Sequence, residues 1–194
     1  METQSLPRPA RFEIATLALL AAVMLATRTH SLSNFVHLPD TSLASFFVLG
    51  WLVRRPAAFG ALFFLGFAID VWVIFVMGGS GFCFTPAYAM LLPAYGVMWL
   101  AGRFAARHLP ERASSLPGAA ALVAAAAFVS NLFSSGGFYF LGGRFPDPTI
   151  AGFLPRLARY FPGMLTSTLL WTGVAVAAYA LWRVLAAGRR AGQR

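Results

Sequence analysis

Three side chains able to do chemistry lie close together in the sequence: Asp70, Cys83 and Tyr88. Asp70 interrupts the apolar run Ile69-Asp70-Val71-Trp72-Val73-Ile74-Phe75-Val76-Met77. A carboxylate buried at membrane depth is costly, so such a residue is expected to face a cavity and to have a role. The blander alternative is an acid held neutral, or hydrogen-bonded to Ser, Thr or Tyr within a helix bundle. Tyr88, Ser130, Asn131, Thr166 and Thr168 are its candidate neighbours. Cys83 is the only cysteine, which excludes an intrachain disulfide and a cysteine-cluster metal site. A free cysteine is commonly a small buried apolar residue. Here it sits in Gly78-Gly79-Ser80-Gly81-Phe82-Cys83-Phe84, where an extended loop would turn Phe82 and Phe84 away from it and leave the thiol facing a pocket. A thiolate is a soft donor and suits a transition metal such as cobalt. One cysteine cannot cage a metal, so a metal presented by an organic cofactor is the economical expectation.

The elements that position these residues are hydrophobic. The chain has 194 residues, 59% of them hydrophobic, with six acidic side chains, more apolar surface than a soluble domain of that size hides. All fifteen basic residues are arginines, giving a net charge of +9. They stand singly or in pairs between apolar runs, a positive-inside pattern rather than a nucleic-acid surface. The first apolar run lacks a small-residue cleavage site followed by a soluble domain and is expected to be a retained helix. No G-x-x-x-x-G-K-[ST] loop is present, so the chain is expected to have no ATP site of that kind.

Six apolar runs, at 12–27, 41–53, 57–77, 86–101, 116–133 and 161–186, predict an all-α bundle of six transmembrane helices forming a single domain over 1–194. A spanning helix needs about 20 residues, so the second run is too short to cross comfortably and is expected to snorkel Arg54 and Arg55 or to be buried against neighbours. Thr41 and Thr85 read as N-caps, and Pro56, Pro86 and Pro162 as first-turn prolines. With the N-terminus inside, eleven arginines fall on inner segments and four, Arg28, Arg144, Arg156 and Arg159, on outer ones. This predicts cytoplasmic termini and outer loops at 28–40, 78–85 and 134–160. Inner turns are short and outer loops long, so a ligand site is expected on the outer face.

Two outer loops are alike: 78–84, and Ser134-Ser135-Gly136-Gly137-Phe138-Tyr139-Phe140. Each joins glycines to an aromatic-x-aromatic triplet, which suits either interfacial anchoring or a lid over a pocket. The loop 30–40 could complete that lid. His30 and His37 read as solvated loop residues and His108 as part of a basic inner turn. Ala18, Ala22 and Ala26 form a small-residue ladder on the first helix, suited to packing within the bundle or to docking a partner. Gly78-Gly79-Ser80-Gly81 also fits the G-x-S-G pattern of rhomboid intramembrane hydrolases, with Ser80 as nucleophile. That chemistry needs a histidine base, and helices four to six carry none.

Six helices in this length, the alanine ladder and the outer loops resemble the substrate-binding S components of energy-coupling-factor (ECF) vitamin transporters. Within that class, Asp70…Cys83…Tyr88, set in D-V-W-V-I-F-V-M-G-G-S-G-F-C-F-T-P-A-Y, is similar to the BtuM family of cobalamin-specific S components of Gram-negative bacteria. The resemblance implies a multi-pass protein of the inner membrane that binds cobalamin or cobinamide at its outer face. It implies that Cys83 ligates the corrinoid cobalt, that Asp70 and Tyr88 support the site, and that a cyano axial ligand is removed. Phe82, Phe84, Phe138, Tyr139 and Phe140 would cover the corrin face. Ala18, Ala22 and Ala26 would meet a shared ECF energising module in the lipid bilayer. An S component for a different vitamin, with Cys83 incidental, is the alternative within the class.

Overall fold

The computed structural model describes residues 10–28, 40–82 and 84–191. Regular structure among them is entirely helical. Helix α1 (Ala10–Arg28), α2 (Ser42–Leu52) and α3 (Ala57–Phe75) are followed by a 3-10 turn, Pro86–Met90, that runs directly into α4 (Leu91–His108). A second 3-10 turn, Ala113–Ser115, leads into α5 (Leu116–Asn131). A π-helical turn (Leu132–Gly136) and the short α6 (Gly137–Leu141) prolong α5, and α7 runs from Ile150 to Ala191. Five helical stretches are long and apolar enough to cross a bilayer: Ala10–Arg28, Ala57–Phe75, Pro86–His108, Ala113–Leu141 and Ile150–Gly188. Their outward faces carry large apolar side chains, such as Phe64, Leu100 and Val184, as lipid-facing helices should.

The second apolar run is the centre of the bundle. With 11 residues, α2 rises about 16 Å, roughly half of the hydrocarbon thickness. Every residue from Ser42 to Gly50 is buried, as is Leu52, so burial against neighbours is the outcome for this run. Phe46 stacks on Tyr95 of α4 at 4.5 Å and tilts against Phe59 of α3 at 5.4 Å. Leu20 and Met24 of α1, Leu62 of α3, Met98 of α4 and Val123 of α5 complete this core. The contact between α2 and α4 is backbone to backbone. A Cβ on Gly50 would collide with the Trp99 carbonyl oxygen, and one on Gly102 with the Phe47 carbonyl oxygen. Gly102→Val is therefore expected to lower stability by about 3 kcal/mol, at the upper end for overpacking, because backbone cannot yield. Gly96→Ala, whose Cβ meets open space on the same helix, should leave heat resistance in detergent unchanged. Equal melting of the two variants would refute the close approach.

Local chemistry departs from expectation at several ends. Thr41 occupies the N-cap position of α2 but makes no side-chain cap; its hydroxyl pairs with that of Thr27 at 2.9 Å. Asp40 does the capping, its Oδ1 accepting from the Ser42 backbone N–H at 3.1 Å and the Ser42 hydroxyl at 2.7 Å. Thr85 likewise precedes its helical turn without a side-chain cap. The largest departure is the segment 134–160, predicted as an outer loop. Residues 134–141 are helical, and α7 begins at Ile150, which leaves Pro155 and Pro162 inside a 42-residue helix rather than at its start. Prolines and glycines suggest a break, yet transmembrane helices tolerate them in their interior. Gly137 is there for contact, since a Cβ would press into the Met90 side chain. The fourth run also extends beyond 101, to His108, and α3 stops at Phe75 rather than 77.

Candidate functional site

The site is built where α1, α3 and α4 converge. On α3, Gly66 and Asp70 lie one turn apart on one face; on α1, Met24 and Arg28 do the same. The missing side chain of Gly66 leaves room for the Met24 methyl and the Arg28 guanidinium, which a Cβ would strike. Arg28 then reaches along α3 to Asp70, with Nη2 3.0 Å from Oδ2. The same nitrogen donates to the Tyr95 hydroxyl at 3.2 Å. From the 3-10 turn, the Tyr88 hydroxyl donates to Asp70 Oδ2 at 2.6 Å. With side-chain exposures of 13% for Arg28 and 21% for Asp70, the pair is largely withdrawn from solvent. Asp70 lies five residues before the end of α3, roughly 8 Å along the axis. Its carboxylate has both a cation and a hydroxyl donor, so it is an organised anion.

Above this cluster opens a cavity of about 390 Å³. Arg28, Asp70 and Tyr88 form its floor. One wall is the π-helical turn and α6, presenting Ser134, Ser135 and Phe138. The other is α7, presenting Phe153, Arg156 and Tyr160. A π-turn inserts one extra residue per turn and re-aims side chains, a device frequent at functional sites. Here the Ser134 hydroxyl donates back to the Ser130 carbonyl at 3.1 Å, and Asn131 Nδ2 donates to Ser135 Oγ at 2.9 Å. The cavity thus offers two guanidinium groups, one carboxylate, several hydroxyls and aromatic faces.

The expected residues divide by place. Tyr88 alone of the candidate neighbours touches Asp70. Asn131 is engaged with Ser135 and with Met164 Sδ at 3.4 Å, and Thr166 and Thr168 donate to carbonyls of their own helix. Phe138 lines the cavity, and Phe82 packs edge-on against it at 5.6 Å, with the Arg144 guanidinium 5.2 Å above the Phe82 ring. Phe84 lies off the cavity, wedged against Phe67, Phe75 and Tyr88, where it braces the tyrosine. Tyr139 is buried between Phe145 and Phe153 and carries Arg156 5.7 Å above its ring; Phe140 packs on Phe153 at 5.6 Å. These last three hold walls in place. Cys83 lies outside the described residues, as do His30, His37 and the rest of the loop 30–39. Ser80 accepts a hydrogen bond from the Phe82 N–H at 3.3 Å, and His108 stacks on Phe104 at the opposite end of α4. Among the described residues no group of three or more His, Cys, Asp or Glu gathers to hold a metal ion.

Two site residues were not singled out by sequence: Arg28 and Arg156. A signal for them existed. A buried acid needs a cation, and only four arginines fall on the predicted outer segments. On the first helix, Ala18 and Ala22 are exposed and Ala26 is half-buried, so most of the ladder faces outward rather than into the bundle. Comparison with known proteins finds no family whose model matches this chain and no curated protein that matches it.

Proposed function

We propose that this protein is a corrinoid-binding membrane transporter with cytoplasmic termini and six helices traversing or filling the inner membrane, α2 being the one that fills. One observation carries the proposal: the half-buried Arg28–Asp70–Tyr88 cluster forms the floor of a cavity whose wall residue Phe138 packs against Phe82, the residue next to Cys83. The loop bearing the single soft donor is thereby tied to the place where a charged, aromatic cavity opens. A cavity of about 390 Å³ does not enclose a whole corrinoid, so the substrate would lie across its mouth with one axial face directed inward.

The corrin ring supplies four equatorial nitrogens and leaves two axial positions. The Cys83 thiolate would donate a lone pair to Co(III) in one of them, displacing the nucleotide base where one is present. Sulfur donation weakens the bond to the opposite ligand, so cyanide leaves with its bonding pair and takes up the proton lost by the thiol. The balance is thiol plus cobalt–cyanide giving thiolate–cobalt plus hydrogen cyanide, without change of oxidation state. Asp70, fixed by Arg28 and Tyr88, contributes a set of oriented polar groups near the substrate's amide arms.

The outward alanines suit docking of an energising module that carries an ATPase. Ala22→Leu, on the exposed ladder, is expected to reduce uptake in cells at least several-fold while corrinoid binding to purified protein is retained. Loss of both together would place the ladder in folding instead. The proposal as a whole is tested by the visible absorption spectrum and cobalt content of protein purified from cells supplied with cobalamin. A coloured protein with about one cobalt per chain is expected; a colourless one would overturn the corrinoid assignment and favour another vitamin.

A further inference from the structure

At the arginine-rich end of the bundle, α5 and α7 stand apart around a second cavity of about 940 Å³. Its floor is Phe47 and Trp51 of the central helix, and its walls are short side chains, Ala120 on α5 and Gly173 and Ala177 on α7. Gly173 and Ala177 lie one turn apart on the same face of α7, which deepens the cleft along the helix axis. A Cβ built on Gly173 meets nothing within 4 Å, so the space is open. The surrounding helix surfaces are apolar, and an apolar space beside hydrocarbon is filled by chain rather than by water.

The mouth decides what kind of chain. Glu111, Arg112 and Arg183 stand there. Glu111 is engaged by the Arg183 guanidinium in a close ion pair and by the Tyr179 hydroxyl at 3.3 Å. Arg112 is exposed and has no carboxylate partner among the described residues. One positive charge therefore remains at the opening of an apolar cleft, at the end of the bundle where basic side chains collect. Basic sites between transmembrane helices on the cytoplasmic side take anionic lipid headgroups.

We infer that this cleft binds one anionic phospholipid of the cytoplasmic leaflet, with an acyl chain between α5 and α7 over Trp51 and the phosphate at Arg112. The site is separate from the outer cavity, and its occupancy is independent of what that cavity binds. The lipid would replace helix–helix packing that α5 and α7 do not make at this end, and so set the separation of the two helices.

The test uses the full-length protein, delipidated in detergent and titrated with phosphatidylglycerol or phosphatidylcholine brominated on the acyl chain. Bromine quenches only tryptophan that it touches, and the Trp51 signal is the difference between parent and Trp51→Phe. Expected is saturable quenching of Trp51 at about one phosphatidylglycerol per chain, with phosphatidylcholine about fivefold weaker for the loss of one basic contact. Arg112→Glu should erase the preference while leaving the fold intact, since Arg112 is exposed. Ala120→Phe or Gly173→Phe should remove the saturable quenching by filling the cleft. Equal titration by the two lipids would overturn the headgroup site. Quenching that persists in a folded cleft-filled variant, or none in the parent, would overturn the lipid altogether and leave the cleft to a partner helix.

Discussion

Cys83→Ser is expected to abolish the spectral signature of sulfur-ligated cobalt and to leave cyanide on nearly all of the bound corrinoid. Serine keeps the size and polarity of cysteine but offers a hard, protonated hydroxyl at neutral pH, where a soft anion is needed. No other side chain of the loop 78–84 can replace it, because the remaining residues there are glycines, phenylalanines and Ser80. The fold should survive, since the cavity floor and walls are built by α1, α3, α4, α6 and α7 without this residue. Residual binding through Phe138 and Arg156 is compatible with loss of the ligand. The check is to purify parent and variant after exposure to cyanocobalamin and to compare visible spectra and released cyanide. Identical spectra would remove Cys83 from the site and reduce it to loop packing.

Arg28→Met is the second substitution with a large expected effect. It leaves the Asp70 carboxylate, 21% exposed, without its cation, and an orphaned partner of a buried ion pair costs about 3 kcal/mol. Asp70→Asn orphans the guanidinium instead and should cost a comparable amount. The double variant Arg28→Met/Asp70→Asn removes both charges and is expected to recover most of the stability, read as heat resistance in detergent. Corrinoid affinity should stay low in all three, since each lacks either the anion or the cation that orients it. Additive losses in the double variant would show that the two side chains are not energetically coupled. Recovery of binding together with stability would make the pair structural only.

The separation between stability and binding bears on what the sequence made legible. Asp70 and Tyr88 were readable because an acid in an apolar run demands a donor, and a tyrosine follows at the start of the next run. Arg28 was not, because it ends its own apolar run and so resembles an interfacial anchor; its partner lies on another helix. What joins them is Gly66, and a single glycine in a chain with eighteen carries no mark of its purpose. The same ambiguity turned 134–141 into an expected loop. Ser134-Ser135-Gly136-Gly137 has the composition of a break, but Gly137 admits Met90 and both serines bond to the end of α5, Ser134 to the Ser130 carbonyl and Ser135 to the Asn131 side chain. Five of the six apolar runs gave helices of spanning length, because that length follows from bilayer thickness. The start of α7 was not legible, since Pro155 and Pro162 weigh against a helix that nonetheless runs through both.

The half-length central helix has a consequence for how the chain enters the membrane. Apolar length and content govern whether a segment partitions from the insertion machinery into lipid, and Ser42–Leu52 has the content without the length. Its serines, Ser42 and Ser45, are buried in protein in the finished bundle but would face lipid if α2 entered alone. It is therefore expected to enter as a dependent of α1 and α3 and to be enclosed once α4, synthesised later, brings Gly102 against it. Until that moment two spanning segments must wait beside an incompletely inserted one. The order of synthesis would thus make α4 the element that commits the helices before it.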